Sequence, residues 1–405
     1  MPETKPRSTS RPRWRALVLK LALASASLGI MLLLIEIGFR LLGYQAIFDT
    51  YSKSSLFWQH HPLLGWVHTP NSTGTYVGPR PWPIEFSTEI HINSLGLRGP
   101  EIEPLAPGGK RILFTGDSVV AGFEVEYEET FVALLGKQLS EDLGVPVQTI
   151  NAGVRGYGTD QSYLYYREYG HKLKPDVVVF VASHNDPVDN VTLHRMRRPF
   201  GKAAFKLGDG GEIELVGTPV EPYPLCSAYA LDARFEITRQ DTPRARAVCW
   251  LQMNLADHSA FFTFAANVIR QNPRLMQRLY DTGAPDEKKA IHKSLQAGTG
   301  SHQRRLTAAI MQSFATRVAA TDAGFLVVGH SRALGAVRDD ISRPATLRTL
   351  EIDPLCEADC PDLHFRRDSH WNAKGHAHAA TFLRPRLREL LLPPLLDTRN
   401  APRSH

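Results

Sequence analysis

One short stretch constrains the fold more than any other part of the chain: residues 111–118, which read Arg-Ile-Leu-Phe-Thr-Gly-Asp-Ser. Residues with strand character run directly into Gly116, Asp117 and Ser118. A buried strand that ends in this way presents a hydroxyl at the carboxyl edge of a sheet, where ligands bind in open α/β folds. Glycine permits the tight turn that exposes the serine. Because the tripeptide also suits an ordinary turn after a strand, its meaning depends on the rest of the chain.

Strand and helix signals alternate along the chain from Arg111 onward. We predict strands at 111–117, 147–152, 177–183 and 325–330, and helices near 130–143, 160–173, 256–281, 301–321 and 374–390. The run Val177-Val-Val-Phe-Val181 is apolar and mostly β-branched, which is typical of a strand buried on both faces. The pattern therefore predicts an α/β fold in which helices cover a parallel sheet.

Two segments do not follow this alternation. Residues 44–108 are rich in Pro, Gly, Trp and Asn and predict a loop-rich lead-in with a few strands, in front of a main domain at 109–395. Residues 187–250 interrupt the main domain and contain a predicted hairpin at 204–216, whose Asp-Gly pair is a strong turn signal. We expect this insertion to lie over the edge of the sheet and to shape a substrate cleft.

The amino-terminal region has the pattern of a membrane anchor. Residues 1–15 are polar, basic and proline-containing, and residues 16–35 form one apolar run that is broken only by Lys20. Twenty residues of helix span roughly 30 Å, the thickness of the hydrocarbon core of a bilayer. Lys20 lies one turn inside, where its side chain can reach the headgroups.

The distribution of positive charge around this run predicts its orientation. Basic residues precede the run and few follow it closely, so 1–15 should stay in the cytoplasm and the remainder should be exported. We therefore expect a single-pass protein of the inner membrane with its main domain on the periplasmic or extracellular side. A cleaved signal peptide is the alternative, with Ala24-Ser25-Ala26 as the cleavage site. Apolar sequence that continues to Ile35 favours the retained anchor.

The formal net charge of +6 does not indicate a nucleic-acid partner. Much of it sits near the two ends of the chain, at Lys5, Arg7, Arg11, Arg13, Arg15, Lys20, Arg384, Arg386, Arg388, Arg399 and Arg403. A nucleic-acid site would need basic residues interleaved with aromatic residues on one folded surface, and the sequence lacks that pattern.

The cysteines are Cys226, Cys249, Cys356 and Cys360. An even count in an exported domain favours disulfides over free thiols. Order and spacing suggest the pairs 226–249, which would close the insertion, and 356–360, which would close a small loop. The sequence has no Cys-x-x-Cys spacing, so a metal site built on these cysteines is disfavoured.

Four separated stretches carry side chains suited to acyl transfer. They are Gly116-Asp117-Ser118, the glycine-rich segment 151–161, Ser183-His184-Asn185-Asp186, and the segment 368–376 with Asp368, His370, Trp371 and Asn372. The first three follow predicted strands and the fourth precedes the last predicted helix. In a parallel sheet the carboxyl ends of the strands meet at one edge, so these stretches can converge.

Acyl transfer needs a nucleophile, a base that takes its proton and a carboxylate that orients the base. Ser118 can be the nucleophile, His370 the base and Asp368 the carboxylate. The reaction also needs donors aimed at the oxyanion, which the amides of Ser118 and Gly153 and the side chain of Asn185 can supply. No metal or organic cofactor is required for this chemistry.

Each of these residues also has a purely structural interpretation. Ser118, Asn151 and Asn185 can cap turns or helices, and His370 can be a core histidine. Asp368 can instead bond to the backbone, in which case Glu351 or Asp353 would orient His370.

The four stretches resemble the blocks of the SGNH (GDSL-type) hydrolase superfamily, whose name lists its serine, glycine, asparagine and histidine. The resemblance covers roughly 109–390, and the blocks appear in the family's order. It implies Ser118 as nucleophile, Gly153 and Asn185 as oxyanion donors, and His370 with Asp368 as the rest of the triad. It also implies a flavodoxin-like, three-layer α/β/α sandwich.

Other features are similar to particular branches of this superfamily. The apolar segment and the stretch Ile92-Asn93-Ser-Leu-Gly96-Leu-Arg98-Gly99 are similar to membrane-anchored bacterial members. The last block reads Asp-x-His rather than Asp-x-x-His, and its continuation His370-Trp371-Asn372 resembles the enzymes that acetylate alginate. Ser183 stands where the third block usually has glycine, and a valine follows Ser118 in place of leucine.

These observations lead to three functional hypotheses. The first is a serine esterase that hydrolyses an O-acyl glycan or a lipid through an acyl-serine intermediate. The second keeps the same site but transfers an acetyl group to an extracytoplasmic polysaccharide. The third is a catalytically silent family member that binds an envelope glycan or an assembly partner, which the altered Ser183 favours and the complete set of blocks disfavours.

Overall fold

The computed structural model describes residues 13–44, 46, 57–78, 84–271, 302–330, 347–352, 361–366, 368 and 370–392. Four predictions fall wholly or partly outside these residues: most of the cytoplasmic tail, the end of the helix near 256–281, the Cys356–Cys360 pair, and Asp353 as an alternative carboxylate. The side chain of Glu351, the other alternative, is likewise outside the described part of the structure.

The helices are α1 Arg13–Leu41, α2 Ser118–Ala121, α3 Phe131–Leu143, α4 Thr159–Glu168, α5 Asp186–Val191, α6 Pro243–Asn254, α7 Ala260–Gln271, α8 His302–Ala319 and α9 Ala373–Leu391. The strands are β1 Trp58–His61, β2 Gly65–His68, β3 Thr73–Gly78, β4 Phe86–His91, β5 Lys110–Gly116, β6 Val147–Gly153, β7 Val177–Ala182, β8 Thr192–His194, β9 Ala204–Leu207, β10 Ile213–Val216, β11 Tyr229–Leu231, β12 Ile237–Arg239, β13 Gly324–His330 and β14 Leu347–Ile352.

Helix α1 contains the apolar segment that the sequence predicts at 16–35. The most apolar 18-residue stretch of the helix Trp14–Leu41 has a mean hydropathy of 2.3. None of that stretch (0%) is buried against the rest of the protein. A core helix of a soluble domain would be mostly buried. Its length and exposure therefore leave a membrane span or a signal sequence.

A parallel sheet with the strand order β14-β13-β7-β5-β6 forms the centre of the main domain. Side chains alternate between its two faces: Val178 and Phe180 pack on the side of α4 and α8, whereas Val177 and Val179 pack on the side of α3 and α9. Because both of its faces are buried, the central strand β7 consists of apolar residues throughout. The fold is therefore a three-layer α/β/α sandwich, as predicted.

The lead-in forms two antiparallel strand pairs, β1 with β2 and β3 with β4. It packs against the main domain through aromatic side chains: Phe57 and Trp58 contact Phe123, which follows α2. Trp66 donates a hydrogen bond from its indole nitrogen to the carbonyl oxygen of Arg155, at 3.1 Å. The lead-in therefore lies against the loops at the carboxyl edge of the sheet.

The segment between α5 and α8 leaves the central sheet. It contains the antiparallel pair β9–β10, which is the hairpin predicted at 204–216, and a separate small sheet with the order β12-β11-β8. A disulfide joins Cys226 to Cys249 on α6, as the spacing suggested. The helix predicted near 256–281 begins at Ala260 in the structure, directly after Ser259, whose hydroxyl oxygen accepts the Phe262 amide. A separate helix that was not predicted, α6, precedes it and ends at Asn254.

Candidate active site

Ser118 lies at the carboxyl end of β5, where it is the first residue of α2. Asp117 caps this short helix by accepting a hydrogen bond from the Val119 amide at 2.9 Å. Gly116 has φ of +153°, and a Cβ atom at this position would come within 2.7 Å of a Val120 methyl carbon. Only glycine fits such a turn without strain. The sequence Gly-Asp-Ser is therefore needed to present the serine hydroxyl at the edge of the sheet.

Ser118, His370 and Asp368 form a continuous line of contacts. The Ser118 hydroxyl oxygen lies 2.7 Å from His370 Nε2, across a sequence separation of 252 residues. His370 Nδ1 contacts Asp368 Oδ1, which also accepts the backbone N–H of His370 at 3.0 Å. With Nδ1 donating to the carboxylate, Nε2 is left as the acceptor for the serine proton. This is the geometry that an activated serine requires.

The carboxylate of Asp368 stays charged in this position. Burial alone would raise the pKa of Asp368, but its hydrogen bonds to His370 and the positive charge of Arg155 outweigh burial and lower it. An ionised carboxylate holds the imidazole in one tautomer and stabilises the imidazolium that forms when the base takes a proton.

A second carboxylate, Glu124, lies beside the same imidazole ring. Glu124 Oε1 is 3.4 Å from His370 Nδ1, its side chain is only 1% exposed, and it pairs with the guanidinium of Arg155. Burial would lower the pKa of Arg155, but the charge of Glu124 raises it instead. The pair therefore adds a buried, charge-compensated contact behind the histidine. No sequence motif indicated Glu124, since its partner His370 is far away in the chain.

One group of side chains in the described part of the structure is close enough to hold a metal ion. It consists of Glu124, Asp368 and His370, whose possible ligand atoms all lie within 4.8 Å of one another. The guanidinium of Arg155 already neutralises Glu124, and Asp368 is bonded to His370. A cation would have to compete with both contacts, so this arrangement fits a charge-balanced proton-transfer site better than a metal centre.

Two of the three expected oxyanion donors bond to other groups of the protein. The Gly153 amide donates to Asn151 Oδ1 at 3.1 Å, and Asn185 Nδ2 donates to Asp189 Oδ2. Asp189 is in turn paired with Arg195. The structure brings these residues to the same edge of the sheet as Ser118, but these two N–H groups bond to the protein's own oxygens.

Gly153 has a packing role that explains its identity. A Cβ atom at Gly153 would come within 2.4 Å of the Ala121 nitrogen and 2.5 Å of Val120 Cβ, both on α2. Asn151 donates to the Val120 carbonyl oxygen at 2.7 Å, which fixes α2 from the same side. Gly156, three residues on, is exposed with φ of +81°, and its N–H has no partner among the described residues. The amide of Gly156, which also belongs to the glycine-rich segment 151–161, is therefore a further candidate donor.

Part of the chain matches a known protein family. Residues 114–285 match the model of the GDSL-like lipase/acylhydrolase family, a range that contains Ser118, Gly153 and Asn185 but not Asp368 or His370. No curated protein matches the chain. The chain contains a GDSL-like lipase/acylhydrolase domain. The protein is accordingly a serine hydrolase that acts on ester bonds.

Solved structures similar to the chain share little sequence with it. TesA is 15% identical, with 69% of this chain and 99% of that chain covered and a TM-score of 0.33. A catalytic mutant of Axe2, an acetylxylan esterase from Geobacillus stearothermophilus, is 13% identical, with coverages of 70% and 95% and a TM-score of 0.32. A two-domain esterase active on acetylated mannans, CEX, is 11% identical, with coverages of 70% and 50% and a TM-score of 0.34.

The lead-in contributes directly to the GDSL-like domain through Arg98. This buried guanidinium donates to the carbonyl oxygens of Ala121 at 2.8 Å, Val125 at 2.6 Å and Gly122. Burial lowers the pKa of Arg98 to about 10. Because the loop that it holds runs from the end of α2 to Glu124, Arg98 fixes both the serine helix and the second carboxylate.

The remaining residues of the fourth block have structural roles. Trp371 is buried against Phe131, and Asn372 caps α9 by accepting the amides of Lys374 at 3.0 Å and Gly375 at 3.1 Å. His376 is buried, and its Nδ1 accepts the Phe131 amide at 3.3 Å. These contacts fix the start of α9 and, with it, the segment that carries Asp368 and His370.

Proposed function

We propose that the protein is a serine esterase in which Ser118 is the nucleophile, His370 the general base and Asp368 the orienting carboxylate. The 2.7 Å contact between the Ser118 hydroxyl oxygen and His370 Nε2 supports this assignment most directly. In the first step His370 takes the serine proton as the hydroxyl oxygen attacks the ester carbonyl carbon. The same imidazole then protonates the leaving alcohol, and an acyl-serine remains.

Hydrolysis of the acyl-serine repeats these steps with water. His370 removes a proton from water, the resulting hydroxide attacks the acyl carbon, and Ser118 leaves with the returned proton. Both tetrahedral intermediates carry a negative oxygen, for which we propose the Ser118 amide, a glycine amide of the second block and the Asn185 side chain as donors. Gly153 is the donor expected from the family pattern, and the exposed Gly156 amide is the alternative.

The substrate class that we propose is an acylated carbohydrate or a lipid outside the cytoplasm. The unburied apolar helix α1 and its basic leader support an inner-membrane anchor at 16–35 with a short cytoplasmic tail at 1–15. The lead-in at 44–108 would then precede a catalytic domain at 109–395 on the periplasmic or extracellular side. The insertion at 187–250 is the segment that we expect to set specificity.

Acyl transfer to a polysaccharide hydroxyl is the competing function. It uses the same acyl-serine, and the continuation His370-Trp371-Asn372 resembles alginate O-acetyltransferases. In this chain Trp371 and Asn372 fix the start of α9 and, with it, the position of His370. The resemblance therefore concerns how the base is held. The chemistry of the acceptor, water or sugar, has to be decided by experiment.

The decisive experiment treats the full chain in detergent with a fluorophosphonate and measures the intact mass. One adduct is expected on the wild type and none on Ser118→Ala, with strongly reduced labelling of His370→Ala. Labelling that survives in Ser118→Ala would refute the assignment of the nucleophile. Turnover of p-nitrophenyl acetate with and without an added oligosaccharide then separates the two functions, because a transferase yields acetylated oligosaccharide.

A further inference from the structure

The helices α6 and α7 and the turn between them expose an unusual number of large apolar side chains. Trp250 is 59% exposed, Leu251 50% and Leu255 61%. Three further side chains of the same segment are also exposed: Val248, Phe262 and Val268. Soluble surfaces rarely place so many large apolar groups together unless they contact a partner or a membrane. We name residues 243–271 the platform.

The platform is attached to α1 by specific contacts. Glu36 on α1 accepts hydrogen bonds from the Ser259 hydroxyl at 2.6 Å, the Ala260 amide at 2.9 Å and the Phe261 amide at 3.1 Å. These are the donors at the start of α7 that need an acceptor. Arg40 also donates to the carbonyl oxygen of His258 at 2.9 Å. The carboxyl-terminal end of α1 therefore fixes the position of the platform.

Aromatic side chains surround this junction. The ring of Phe39 lies 5.5 Å from that of Phe261 and 5.0 Å from that of Phe264. Tyr44, just after α1, packs against Phe264 at 5.1 Å. Tyrosine, here Tyr44, is enriched at the interface between a bilayer and water. The junction therefore lies where the proposed membrane span ends.

The charges of the platform also suit a lipid surface. Asp257 is the one acidic residue between 243 and 271, and it pairs with Arg197 at 2.6 Å. Arg244 is exposed at the start of α6. A surface with exposed apolar groups, arginine and little negative charge is favoured against phospholipid headgroups, many of which are anionic.

We propose that the platform lies on the bilayer that α1 crosses, with Trp250, Leu251 and Leu255 inserted among the lipid headgroups on the side of the catalytic domain. This inference rests on the membrane anchoring of the proposed function. The disulfide between Cys226 and Cys249 joins the platform to the preceding segment of the insertion. The catalytic domain is thereby held in one orientation at the membrane surface, so the site acts on esters close to that surface.

The test places p-benzoylphenylalanine at position 251 of the full chain, in vesicles of phosphatidylethanolamine and phosphatidylglycerol. Leu95, which is 56% exposed in the lead-in and remote from α1 in the sequence, is the matched control, and Leu255 is a second platform position. After illumination, mass spectrometry should find lipid adducts at 251 and 255 at least tenfold more often than at 95. Equal labelling at all positions, or no adduct at 251 and 255, would overturn the platform.

Two further readouts on the same vesicles separate this inference from the proposals on which it rests. Flotation after carbonate washing reports the anchor, and hydrolysis of p-nitrophenyl acetate reports the esterase. An active, floating protein without lipid adducts contradicts the platform alone. Loss of flotation refutes the anchor and the platform together, whereas lipid adducts on an inactive protein leave the platform standing and refute the esterase. A crosslink between two chains at position 251 would make this surface a protein interface and would also overturn the proposal.

Discussion

On one side of Ser118, His370 Nε2 lies 2.7 Å from the hydroxyl oxygen, and Asp368 holds the other ring nitrogen. At the carboxyl ends of the neighbouring strands β6 and β7, the Gly153 amide bonds to Asn151 and the Asn185 amide bonds to Asp189. The proton-transfer half of the site is therefore assembled without substrate, while two of the expected oxyanion donors bond to protein oxygens.

Local geometry explains this difference. His370 and Asp368 are two residues apart, and one carboxylate oxygen accepts both the ring and the backbone N–H of the histidine. Asn185 and Asp189 are four residues apart at the start of α5, where helical spacing brings their side chains together. The Asn185 amide carries a second N–H, which can donate to a substrate oxyanion while the first stays with Asp189. The base is therefore held by a single continuous line of contacts, whereas the expected donors on the oxyanion side also bond to protein oxygens.

The largest expected effect tests the assembled half. Ser118→Ala should lower kcat/KM for p-nitrophenyl acetate by about 10³-fold or more, because the acyl intermediate can no longer form. Stopped or continuous absorbance assays at saturating and low substrate give both constants. Ser313→Ala, on α8 and hydrogen-bonded to the Ala309 carbonyl oxygen, is the control and should keep full activity. Wild-type turnover by the Ser118→Ala protein would show that Ser118 is not the nucleophile.

Asp368→Asn should have the next largest effect. The amide is neutral and can donate to His370 Nδ1, which would leave Nε2 protonated and unable to take the serine proton. A loss of about 10²- to 10⁴-fold in kcat is expected. Denaturation midpoints of the variant and the wild type should be compared, since a loss caused by unfolding would appear there. Retention of more than half of the activity would show that another group orients the histidine.

Asn185→Ala tests the other half. If the Asn185 amide donates to the oxyanion, its removal should lower kcat by about 10²-fold with little change in KM. The matched variant Asn190→Ala removes a neighbouring buried amide that bonds to Thr307, and it should affect stability more than kcat. A change below threefold in kcat for Asn185→Ala would mean that its amide does not stabilise the oxyanion.

Glu124→Gln should have a smaller effect than Asp368→Asn. The change removes a negative charge 3.4 Å from His370 Nδ1 and leaves Arg155 without its partner. We expect a loss of about tenfold in kcat, equivalent to roughly 1.4 kcal/mol of transition-state stabilisation. The double change Glu124→Gln and Arg155→Gln restores neutrality and should recover part of the lost kcat. Equal losses for Glu124→Gln and Asp368→Asn would make the two carboxylates equivalent partners of the base.

The last effect concerns stability rather than turnover, and it comes from the buried residue His376. Burial lowers the pKa of His376 from 6.5 to about 3. Above pH 6.5 the residue is neutral in both the folded and the unfolded chain; below it, the unfolded chain binds a proton that the folded protein cannot. The free energy of unfolding should therefore fall as the pH falls from 6.5 towards 3, by about 1.4 kcal/mol per pH unit for this residue.

Denaturant unfolding between pH 7 and pH 5 measures this slope. In His376→Asn the amide oxygen can still accept the Phe131 N–H, but the side chain no longer titrates, so the slope should decrease. His378→Asn, exposed on the same helix, is the control. An unchanged slope in His376→Asn would show that the acid sensitivity has another source.

Much of the fold was predictable because its local signals are strong. The run Val177-Val-Val-Phe-Val181 could only be a buried strand, and Gly-Asp-Ser marked the end of β5. The strand β14 was not predicted, since its sequence at 347–352 alternates polar and apolar residues and lacks the apolar signature of the other strands. Helix α6 was not predicted, and α7 begins at Ala260 rather than near 256 even though Ser259 is a typical helix cap.

The site was predictable only in part, for a physical reason. Ser118, Asp368 and His370 belong to recognisable blocks, and the structure brings them into contact. A sequence cannot distinguish a glycine that allows close packing, such as Gly153, from one that exposes its amide, such as Gly156. The contact between Glu124 and His370 could not be predicted from the sequence, because it depends on how the loop after α2 folds back.

The contacts of Arg98 have a practical consequence for anyone who wishes to work with a shortened enzyme. A fragment that starts at residue 109 contains every proposed catalytic side chain, yet it leaves three backbone carbonyl groups near the serine helix without their donor. We expect such a fragment to be soluble but to have a low kcat. The lead-in is better regarded as part of the active-site structure than as a linker. It has to be kept together with the catalytic domain in any exchange of domains.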